Sequence, residues 1–289
     1  MSDPSEVAAH RDLVAGLFPT LALDPFAPIG DGWDCFTYLA HDEWVVQIPR
    51  TEATVATLRR QIALLPELAR EVSAAIPVPV HVSIDPTVMV YRALEGRSLL
   101  EIELSPNAIL PERLGRFLYD LHTVPLEFVG LRGEGGEGWR RDYREVLEGF
   151  RARVFPLLRD DEREHAGAMF DRFVGDDANF RFPAALVHSD LGPAHILATP
   201  TGDLAGVIDW GDAAPGDPAM DLAWVLHHAP AIGDRALAAY GGPPDATFLE
   251  RARFYDAISP WYEVLHGLDT GQPSFVASGL EGLRERFPA

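Results

Sequence analysis

The period of the hydrophobic pattern changes once along the chain, and this change limits which folds the sequence can adopt. In residues 25–91, apolar and polar residues alternate in segments such as DCFTYLA and WVVQIP, which predicts β-strands with a turn at residues 41–43. From Gly96 onward, apolar residues recur mainly at three- and four-residue spacing, as in the helix that Pro111 opens. The sequence therefore predicts an α+β fold with a sheet-rich first part and a helical second part.

The individual elements follow from the same patterns. Helices are predicted over residues 5–17, 51–70 and 139–175, and two further strands are predicted in PVPVHVSI and TVMVYRAL. Short strands return in ALVHS, HILAT and GVIDW before helices continue to the C-terminus. A chain of 289 residues is long for one compact core. We therefore expect a small antiparallel-sheet lobe over residues 1–95 and a larger, mainly helical lobe over residues 96–289.

The charge of the chain is strongly acidic. Its 44 acidic residues against 24 basic ones give a formal net charge of −20, and every basic residue is an arginine, because lysine is absent. Such a chain repels nucleic-acid phosphates and anionic membranes, since it lacks the cations that would neutralise them. The acidity favours a cationic small molecule as partner, although solubility by itself also explains it.

The sequence lacks the usual signals for a membrane or an oxidising compartment. Its apolar runs are shorter than the roughly 18 residues of a membrane span, and its first residues carry acid where a signal peptide carries base. Cys35 is the only cysteine, so no disulfide can form within the chain. We expect a cytoplasmic protein that binds a small molecule, neither nucleic acid nor membrane, and that is a monomer or a homodimer.

Three segments carry residues suited to phosphoryl transfer. In HSDLGPAHIL, Asp190 lies five residues before His195. In VIDWGD, Asp209 ends an apolar strand 19 residues after Asp190, and IGDGWDCFTY carries Gly30 and Gly32 between two predicted strands. Each segment alone has an ordinary explanation as a turn or a strand end. No G-x-S-x-G elbow surrounds the serine of the first segment, so a serine hydrolase is not indicated.

Together the segments supply what phosphoryl transfer needs, namely a metal ion on the phosphates, a group that orients the attacking hydroxyl, and backbone amides over the phosphates. Asp209, at the end of a rigid strand, suits a magnesium ligand. Asp190, in a loop between strands, suits a hydrogen bond from a hydroxyl, and His195 can reach back toward it. The two glycines allow a turn to approach a triphosphate closely, and Asp31 between them joins the nucleotide-binding candidates.

The order and spacing of these segments resemble the aminoglycoside phosphotransferase branch of the protein-kinase-like superfamily, which also contains macrolide, choline and homoserine kinases. That family's signature is His-x-Asp, an Asn five residues later, and then Ile-Asp-Trp/Phe; HSDLGPAH and VIDWGD match it, with His195 in place of the Asn. A histidine there is similar to the aminoglycoside 2″-phosphotransferases, as are GDGWDCFTYL and GVIDWGDAAPGDPAMDLAWVL. The resemblance covers most of the chain. It implies a bilobal kinase-like fold, Asp190 as catalytic base or hydroxyl orienter, and His195 and Asp209 as Mg²⁺ ligands.

One feature of the sequence departs from that family. The family carries a lysine on the third strand, paired with a glutamate on the next helix, to hold the α- and β-phosphates of the nucleotide. Here Gln47 and Gln61 stand at those places. Two amides can hydrogen-bond to each other and to a phosphate oxygen, and Arg50 is a candidate for the missing positive charge.

Acidic and aromatic residues of the second part are candidates for binding a polyamine antibiotic, because carboxylates match its charges and aromatic faces pack on its sugar rings. The substrate candidates are Asp212, Asp217, Asp221, Trp261, Tyr262 and Glu263. Asp217 and Asp221 lie one helical turn apart, and stabilisation of the N-terminus of that helix explains Asp217 equally well.

The leading hypothesis is an aminoglycoside O-phosphotransferase that confers antibiotic resistance. The sequence is compatible with two other functions. One is a kinase for a macrolide, for a nucleoside or peptide antibiotic, or for an amino-alcohol metabolite. The other is a non-catalytic nucleotide-binding protein, which the two glutamines favour. ATP and GTP both remain open as donors, since we expect the base to meet backbone atoms near Met89, Tyr91 and Leu94.

Overall fold

The structure, a computed structural model, describes residues 3–30, 32–133 and 136–286. These residues group into two compact units. The first unit comprises the described residues up to Val124, together with Phe128–Gly130 and Gly192–Ala213. The second unit comprises Pro125–Glu127, Leu131–Leu191 and the described residues from Ala214 onward. Asp31, one of the nucleotide-binding candidates, lies outside the described residues.

The first half of the chain contains two groups of three strands with helices before, between and after them, and the rest is mostly helical. In chain order they are α1 (Pro4–Leu17), β1 (Phe26–Pro28), β2 (Cys35–Ala40), β3 (Trp44–Pro49), α2 (Glu52–Leu68), β4 (Pro79–Ile84), β5 (Thr87–Arg92), β6 (Arg97–Ser98), α3 (Leu110–Thr123), α4 (Gly136–Arg153), α5 (Asp160–Gly175), β7 (Ala185–Val187), β8 (Ile196–Ala198), β9 (Leu204–Val207), β10 (Ala214–Gly216), α6 (Ala219–His228), α7 (Pro230–Tyr240), α8 (Phe248–Thr270) and α9 (Pro273–Arg286). The predicted α+β class is confirmed.

The first unit contains an antiparallel sheet with the strand order β1-β2-β3-β5-β4. The predicted turn between β2 and β3 is present, and both His41 and Asp42 adopt positive φ there. The register places Gln47 opposite Thr37 on β2 and opposite Met89 on β5. Because paired residues share a face of the sheet, these three side chains lie on the same face.

Helix α1 covers the opposite face of that sheet. Val14 of α1 is fully buried in one cluster with Tyr38, Val46 and Val90. Side chains alternate between the faces along a strand, so Val46 points toward α1 and its neighbour Gln47 points away from it. The face that carries Gln47 is therefore separate from the α1 core.

Helix α2 packs against strands β3, β4 and β5. Thr51 and Thr54 form a reciprocal capping box at its N-terminus, which satisfies two backbone N–H groups and explains why the helix begins there. Its buried residues are Leu58, Gln61, Leu64, Leu65 and Leu68. Gln61 thus interrupts a face of leucines, and it is only 6% exposed. Burying an amide among leucines is costly unless the amide is hydrogen-bonded.

Helix α3 and the small sheet β6-β8-β9 complete the first unit. The helical spacing predicted after Pro111 is confirmed in α3, where four residues at positions i, i+3, i+4 and i+7 are fully buried: Leu114, Phe117, Leu118 and Leu121. Gly96, before β6, has a φ of 110°, and a methyl group there would lie 2.8 Å from the carbonyl oxygen of Ala198. The backbones of these segments can approach so closely only at a glycine. Because α3 and the β8–β9 hairpin group with the N-terminal sheet, the units do not follow a single division at residue 95. The lobe boundary stays a prediction.

The second unit is mainly helical, with one two-stranded sheet formed by β7 and β10. Helix α8 contacts both α6 and α9. Trp261 of α8 is fully buried, and its ring lies 5.1–5.8 Å from those of Phe150, Phe155 and Phe170. Within the described ranges, no helix combines the length and the apolar character that crossing a membrane requires.

Candidate active site

Asp190 lies in a loop of the second unit that follows β7 directly. Ser189, just before it, has a φ of 71°. A left-handed conformation is uncommon for a residue with a side chain, and it persists only where the surrounding structure enforces it. Asp190 itself is exposed. The loop therefore presents a carboxylate from a well-defined backbone, as an acceptor for a substrate hydroxyl requires.

The carboxylate of Asp221 holds this loop in place. It accepts hydrogen bonds from the backbone N–H of His188 at 2.8 Å and from that of Ser189 at 2.9 Å. Asp221 lies in the first turn of α6 and is fully buried. Charge-assisted bonds of this kind are among the strongest in proteins. The prediction that Asp221 binds substrate is corrected: its carboxylate is inaccessible, and it positions the backbone that carries Asp190.

Asp217 also has a structural role. It is fully buried and accepts hydrogen bonds from Nε of Arg251 at 2.5 Å and from the hydroxyl of Tyr255 at 2.7 Å. It also accepts one from the N–H of Ala219 at 3.0 Å, which confirms the alternative interpretation of a residue that stabilises the start of α6. Burial opposes the charge of Arg251, but its hydrogen bonds to Asp245 and Asp217 raise the pKa of the guanidinium. The prediction of Asp217 as a substrate ligand is corrected for the same reason as that of Asp221.

The three predicted substrate residues of α8 have different surroundings. Trp261 is enclosed in the aromatic core, so its prediction as a substrate residue is corrected. Tyr262 is 40% exposed and its ring lies edge-on to Phe150 at 5.1 Å. Glu263 is half-buried and accepts a hydrogen bond of 2.6 Å from the hydroxyl of Ser278. Tyr262 and Glu263 stay predictions.

His195 and Asp209 lie side by side in the first unit. Nε2 of His195 is 3.5 Å from Oδ2 of Asp209. The backbone brings them together, because the N–H of Ile208 donates to the carbonyl oxygen of His195 at 3.0 Å, next to the paired strands β8 and β9. Asp209 lies two residues beyond β9 with a φ of 65°, and its side chain is 53% exposed. The two residues that the resemblance implies as metal ligands are therefore neighbours.

Three polar side chains converge on Gly211. A methyl group built on its α-carbon would lie 3.6 Å from Oδ2 of Asp34, 3.7 Å from Oδ1 of Asp209 and 3.8 Å from Nε2 of Gln61. Burial raises the pKa of the adjacent Asp212, and the charges of Asp34 and Asp209 raise it further, although the Asp212 side chain still reaches solvent. We call Asp34, Asp209 and Asp212 the carboxylate cluster. It concentrates negative charge where a divalent cation would be attracted.

Gln47 and Gln61, the glutamines that the resemblance puts in place of an ion pair, both lie in the first unit. Oε1 of Gln47 is buried and has no hydrogen-bond partner among the described residues, so the expected bond from Gln61 to this oxygen is not made. A buried acceptor without a partner costs about 1–3 kcal/mol. Such an atom in a native structure calls for an explanation such as a missing ligand. Gln61 instead directs its Nε2 toward Gly211 and the carboxylate cluster.

The segment with the paired glycines is held by Arg50. Nε of Arg50 donates to the carbonyl oxygen of Gly32 at 2.9 Å, and its guanidinium lies 4.1 Å from the ring centre of Phe36. Phe36 packs against the α1 core, on the face opposite to Gln47. Arg50 therefore supports the loop and does not stand beside Gln47. Gly30 has a φ of 71°, a conformation that favours glycine, and a methyl group there would meet no atom within 4 Å.

Strand β5 carries the residues expected near the nucleotide base. Met89 is fully buried, Tyr91 is buried, and Leu94 beyond the strand is half-buried. Burial raises the pKa of Tyr91, and the nearby groups Asp209 and Cys35 raise it further. The Tyr91 hydroxyl thus lies within electrostatic reach of the proposed metal ligand. The contact of this strand with a base stays a prediction.

The donors suit a metal ion that arrives with a nucleotide. No group of three His, Cys, Asp or Glu side chains in the described ranges is arranged to hold a metal ion. His195 and Asp209 would provide two ligands. Mg²⁺ at nucleotide sites commonly uses one or two carboxylates and fills its other positions with phosphate oxygens and water. The residues present therefore fit Mg²⁺ bound together with phosphates.

Sequence reasoning missed Asp34 and the loop-holding role of Asp221. The signal for Asp34 is its place two residues after Gly32 in GDGWDC, next to the segment that is expected to meet phosphates. The signal for Asp221 is its spacing of four from Asp217, which puts both at the start of one helix. Both inferences need the distances that the fold provides.

Comparison with known proteins identifies a family for the chain. The model of the phosphotransferase enzyme family APH matches residues 25–255. The viomycin phosphotransferase of Streptomyces vinaceus is 32% identical over 147 residues, which make up 50% of this chain and 50% of that protein. The chain thus spans about half the length of that curated relative in the match.

Solved structures share the fold over nearly the whole chain. The GDP and kanamycin complex of an aminoglycoside 2″-phosphotransferase of type IIIa has a TM-score of 0.85 at 23% identity, covering 96% of this chain and 98% of that one. The apoenzyme of the macrolide 2′-phosphotransferase MphH from Brachybacterium faecium has a TM-score of 0.73 at 26% identity, covering 97% and 98%. The expected kinase-like fold is confirmed by these similarities.

Proposed function

Because the chain belongs to the phosphotransferase enzyme family, we propose that it transfers the γ-phosphate of ATP or GTP to a hydroxyl of an aminoglycoside-type antibiotic. The observation that carries the proposal is the exposed Asp190 on a loop that two hydrogen bonds to the buried Asp221 hold in place. A pseudokinase would have no need to keep a base in this arrangement.

In the proposed reaction Asp190 accepts a hydrogen bond from the acceptor hydroxyl and orients its oxygen toward the γ-phosphate. Positioning and proton acceptance of this kind contribute roughly 10²–10⁴ in rate. Asp221 acts on this step only through the backbone of His188 and Ser189, and it is therefore a positioning residue.

The first unit contributes the nucleotide-binding residues. Asp209 and His195 would hold Mg²⁺, and this ion supplies neutralisation of the phosphate charge when it is bound. The glycine segment offers backbone N–H groups to the phosphates. Gln47 provides a buried amide whose oxygen lacks a protein partner, and its N–H₂ group is able to donate to a phosphate oxygen.

The chemistry of the chain favours a cationic acceptor. The net charge of −20 attracts polyamines over long distances. Of the predicted substrate residues, Asp212, Tyr262 and Glu263 are accessible enough to contact a solute. An aminoglycoside carries amino groups, which suit carboxylates, and sugar hydroxyls, which suit a base such as Asp190.

A second candidate is phosphorylation of another antibiotic. It is favoured by the similarity to a viomycin phosphotransferase and to a macrolide 2′-phosphotransferase. The buried aromatic core of α8 does not decide between the two, because it does not reach the surface. Both candidates use the same nucleotide-binding residues and the same Asp190.

Consumption of ATP and GTP in the presence of a panel of acceptors tests the proposal. The panel comprises kanamycin, gentamicin, streptomycin, viomycin and a macrolide. We expect acceptor-dependent turnover with at least one aminoglycoside, and its loss in Asp190→Asn. Turnover with viomycin or the macrolide alone would select the second candidate. Nucleotide binding without turnover on any acceptor would favour a pseudokinase.

A further inference from the structure

The proposed function requires the first unit to bind the highly charged phosphates of a nucleotide, although the protein offers few cations for them. The chain has no lysine, and neutral glutamines stand at positions 47 and 61. The carboxylate cluster adds three negative charges to the same region. Repulsion between these carboxylates and the phosphates would weaken binding unless cations offset it. A divalent ion offsets part of this charge, and a fixed positive side chain would offset more.

Arg60 is the positively charged side chain that the structure places beside the carboxylate cluster. It precedes Gln61 on α2, and its Nη2 donates to the carbonyl oxygen of Gly211 at 3.1 Å. Gly211 is the residue on which Asp34, Asp209 and Gln61 converge. The helix and the Asp209 segment are thereby joined through one guanidinium. The bond to Gly211 engages one of the five N–H donors that an arginine carries, and the residue is exposed.

The charge of Arg60 already acts on the carboxylate cluster. Its proximity lowers the pKa of Asp212, against the stronger effects of burial and of Asp34 and Asp209. Arg60 therefore lies close enough to interact with charges in this region. Arg50, the other candidate for the missing cation, stands over Phe36 on the α1 face of the sheet. Its geometry directs it away from the face that carries Gln47.

We propose that Arg60, anchored on the carbonyl of Gly211, binds the phosphate chain of the nucleotide and supplies the positive charge that this lysine-free chain lacks at position 47. The inference rests on the proposed function, since it assumes that the first unit binds a nucleoside triphosphate. The inference adds Arg60 to the residues that contact the phosphates directly. A planar guanidinium can contact two phosphate oxygens at once, so it suits this role.

Arg59 provides a matched control on the same helix. Its Nη2 donates to the carbonyl oxygen of Ile84 and its Nε donates to the hydroxyl of Thr87 at 3.0 Å. Both arginines thus bond to a backbone carbonyl, but Arg59 is tied to the β4–β5 hairpin and not to Gly211. Substituting each by glutamine removes the same charge from adjacent positions of one helix.

The experiment is calorimetric titration of the full chain with ADP and GDP in the presence of Mg²⁺, and with the matching nucleosides, adenosine and guanosine. For the diphosphate that binds more tightly, Arg60→Gln should raise the Kd about tenfold or more, because a hydrogen bond to a charged group is lost. Nucleoside affinity should stay within about twofold, since a nucleoside has no phosphate. Arg59→Gln should leave both affinities within about twofold. Arg60→Lys should recover part of the diphosphate affinity because it keeps the charge.

Two results would overturn the inference while leaving the proposed function intact. One is a diphosphate affinity in Arg60→Gln equal to that of the wild type. The other is an equal loss of nucleoside and diphosphate affinity, which would mean that Arg60 only shapes the site. Arg60→Met, which keeps the aliphatic stem, provides the same test if the glutamine variant does not fold. Absence of nucleotide binding and turnover in the wild-type chain would overturn both proposals.

Discussion

The two units use aspartate in opposite ways. In the second unit, Asp217 and Asp221 are fully buried, and each oxygen of both carboxylates accepts at least one hydrogen bond from the protein. In the first unit, Asp209 is half exposed and lies close to another carboxylate and to a histidine. The first pair is stabilised by its partners within the chain. The second arrangement gathers like charges that a bound cation would relieve.

This difference distinguishes aspartates that stabilise the fold from aspartates that are suited to binding a ligand. A buried carboxylate needs several donors, since desolvation without them is prohibitive. Asp217 has such donors from Arg251, Tyr255 and Ala219, so its position is explained without a ligand. Asp34 and Asp209 instead bring like charges together around Gly211, and a bound cation would relieve their repulsion.

The largest effect is expected where a buried ion pair is broken. Arg251→Ala leaves Asp217 buried without its main cation, so the free energy of unfolding should fall by about 3–5 kcal/mol. Arg253, exposed on the same helix, is the control, and Arg253→Ala should change stability by less than about 0.5 kcal/mol. Urea denaturation measures both. Equal losses in the two variants would remove the distinction between buried and exposed charges on which the comparison rests.

Removal of a proposed metal ligand tests the other half of the comparison, the exposed aspartate of the first unit. Asp209→Ala should lower turnover by about 10³-fold or more and weaken Mg²⁺-dependent nucleotide binding, because the ion bridges the phosphates. Its thermal stability should be retained or increased, since one like charge leaves the carboxylate cluster. His195→Ala should be milder, because water can replace an imidazole on Mg²⁺. Unchanged Mg²⁺-nucleotide affinity in Asp209→Ala would contradict the proposed metal site.

Asp190→Asn separates catalysis from binding. Turnover should fall by about 10² or more, because the amide cannot accept the proton of the acceptor hydroxyl, whereas nucleotide affinity should be nearly unchanged. Steady-state kinetics and nucleotide titration together check this. Near-normal turnover would exclude Asp190 from the mechanism. Asp190 is exposed, so we expect the Asp190→Asn variant to fold normally.

The smallest effect concerns the two glutamines. Gln47→Lys should destabilise the nucleotide-free protein by about 1–2 kcal/mol, because it buries an ammonium where Gln61 offers only a neutral amide. Adding Gln61→Glu should recover about 1 kcal/mol of that loss through a restored ion pair. A double-mutant cycle on thermal stability and nucleotide affinity measures the coupling. Additive effects would show that positions 47 and 61 do not interact.

The fold was largely predictable because its signals are local. Alternation predicted β2 and β3, the spacing of leucines and a phenylalanine predicted α3, and Thr51 with Thr54 explains where α2 starts. Strands β1 (FAP) and β10 (APG) have no such signal of their own, since each contains a proline and neither is an uninterrupted apolar run like the equally short β7 (ALV) and β8 (ILA). The pairing of β10 depends on β7, which is distant in sequence, whereas β1 pairs with β2, the next strand along the chain.

The sequence by itself determined the α+β class and the segments that carry Asp190, His195 and Asp209. These follow from periodicity, spacing and residue type, which are properties of the chain. Only the tertiary structure decided that Asp217 and Asp221 are buried and that Arg60 and Asp34 meet the Asp209 segment at Gly211. The physical reason is that a carboxylate's role depends on its desolvation and on the donors around it. Those donors come from helices and strands that are remote in sequence, so no local pattern reveals them.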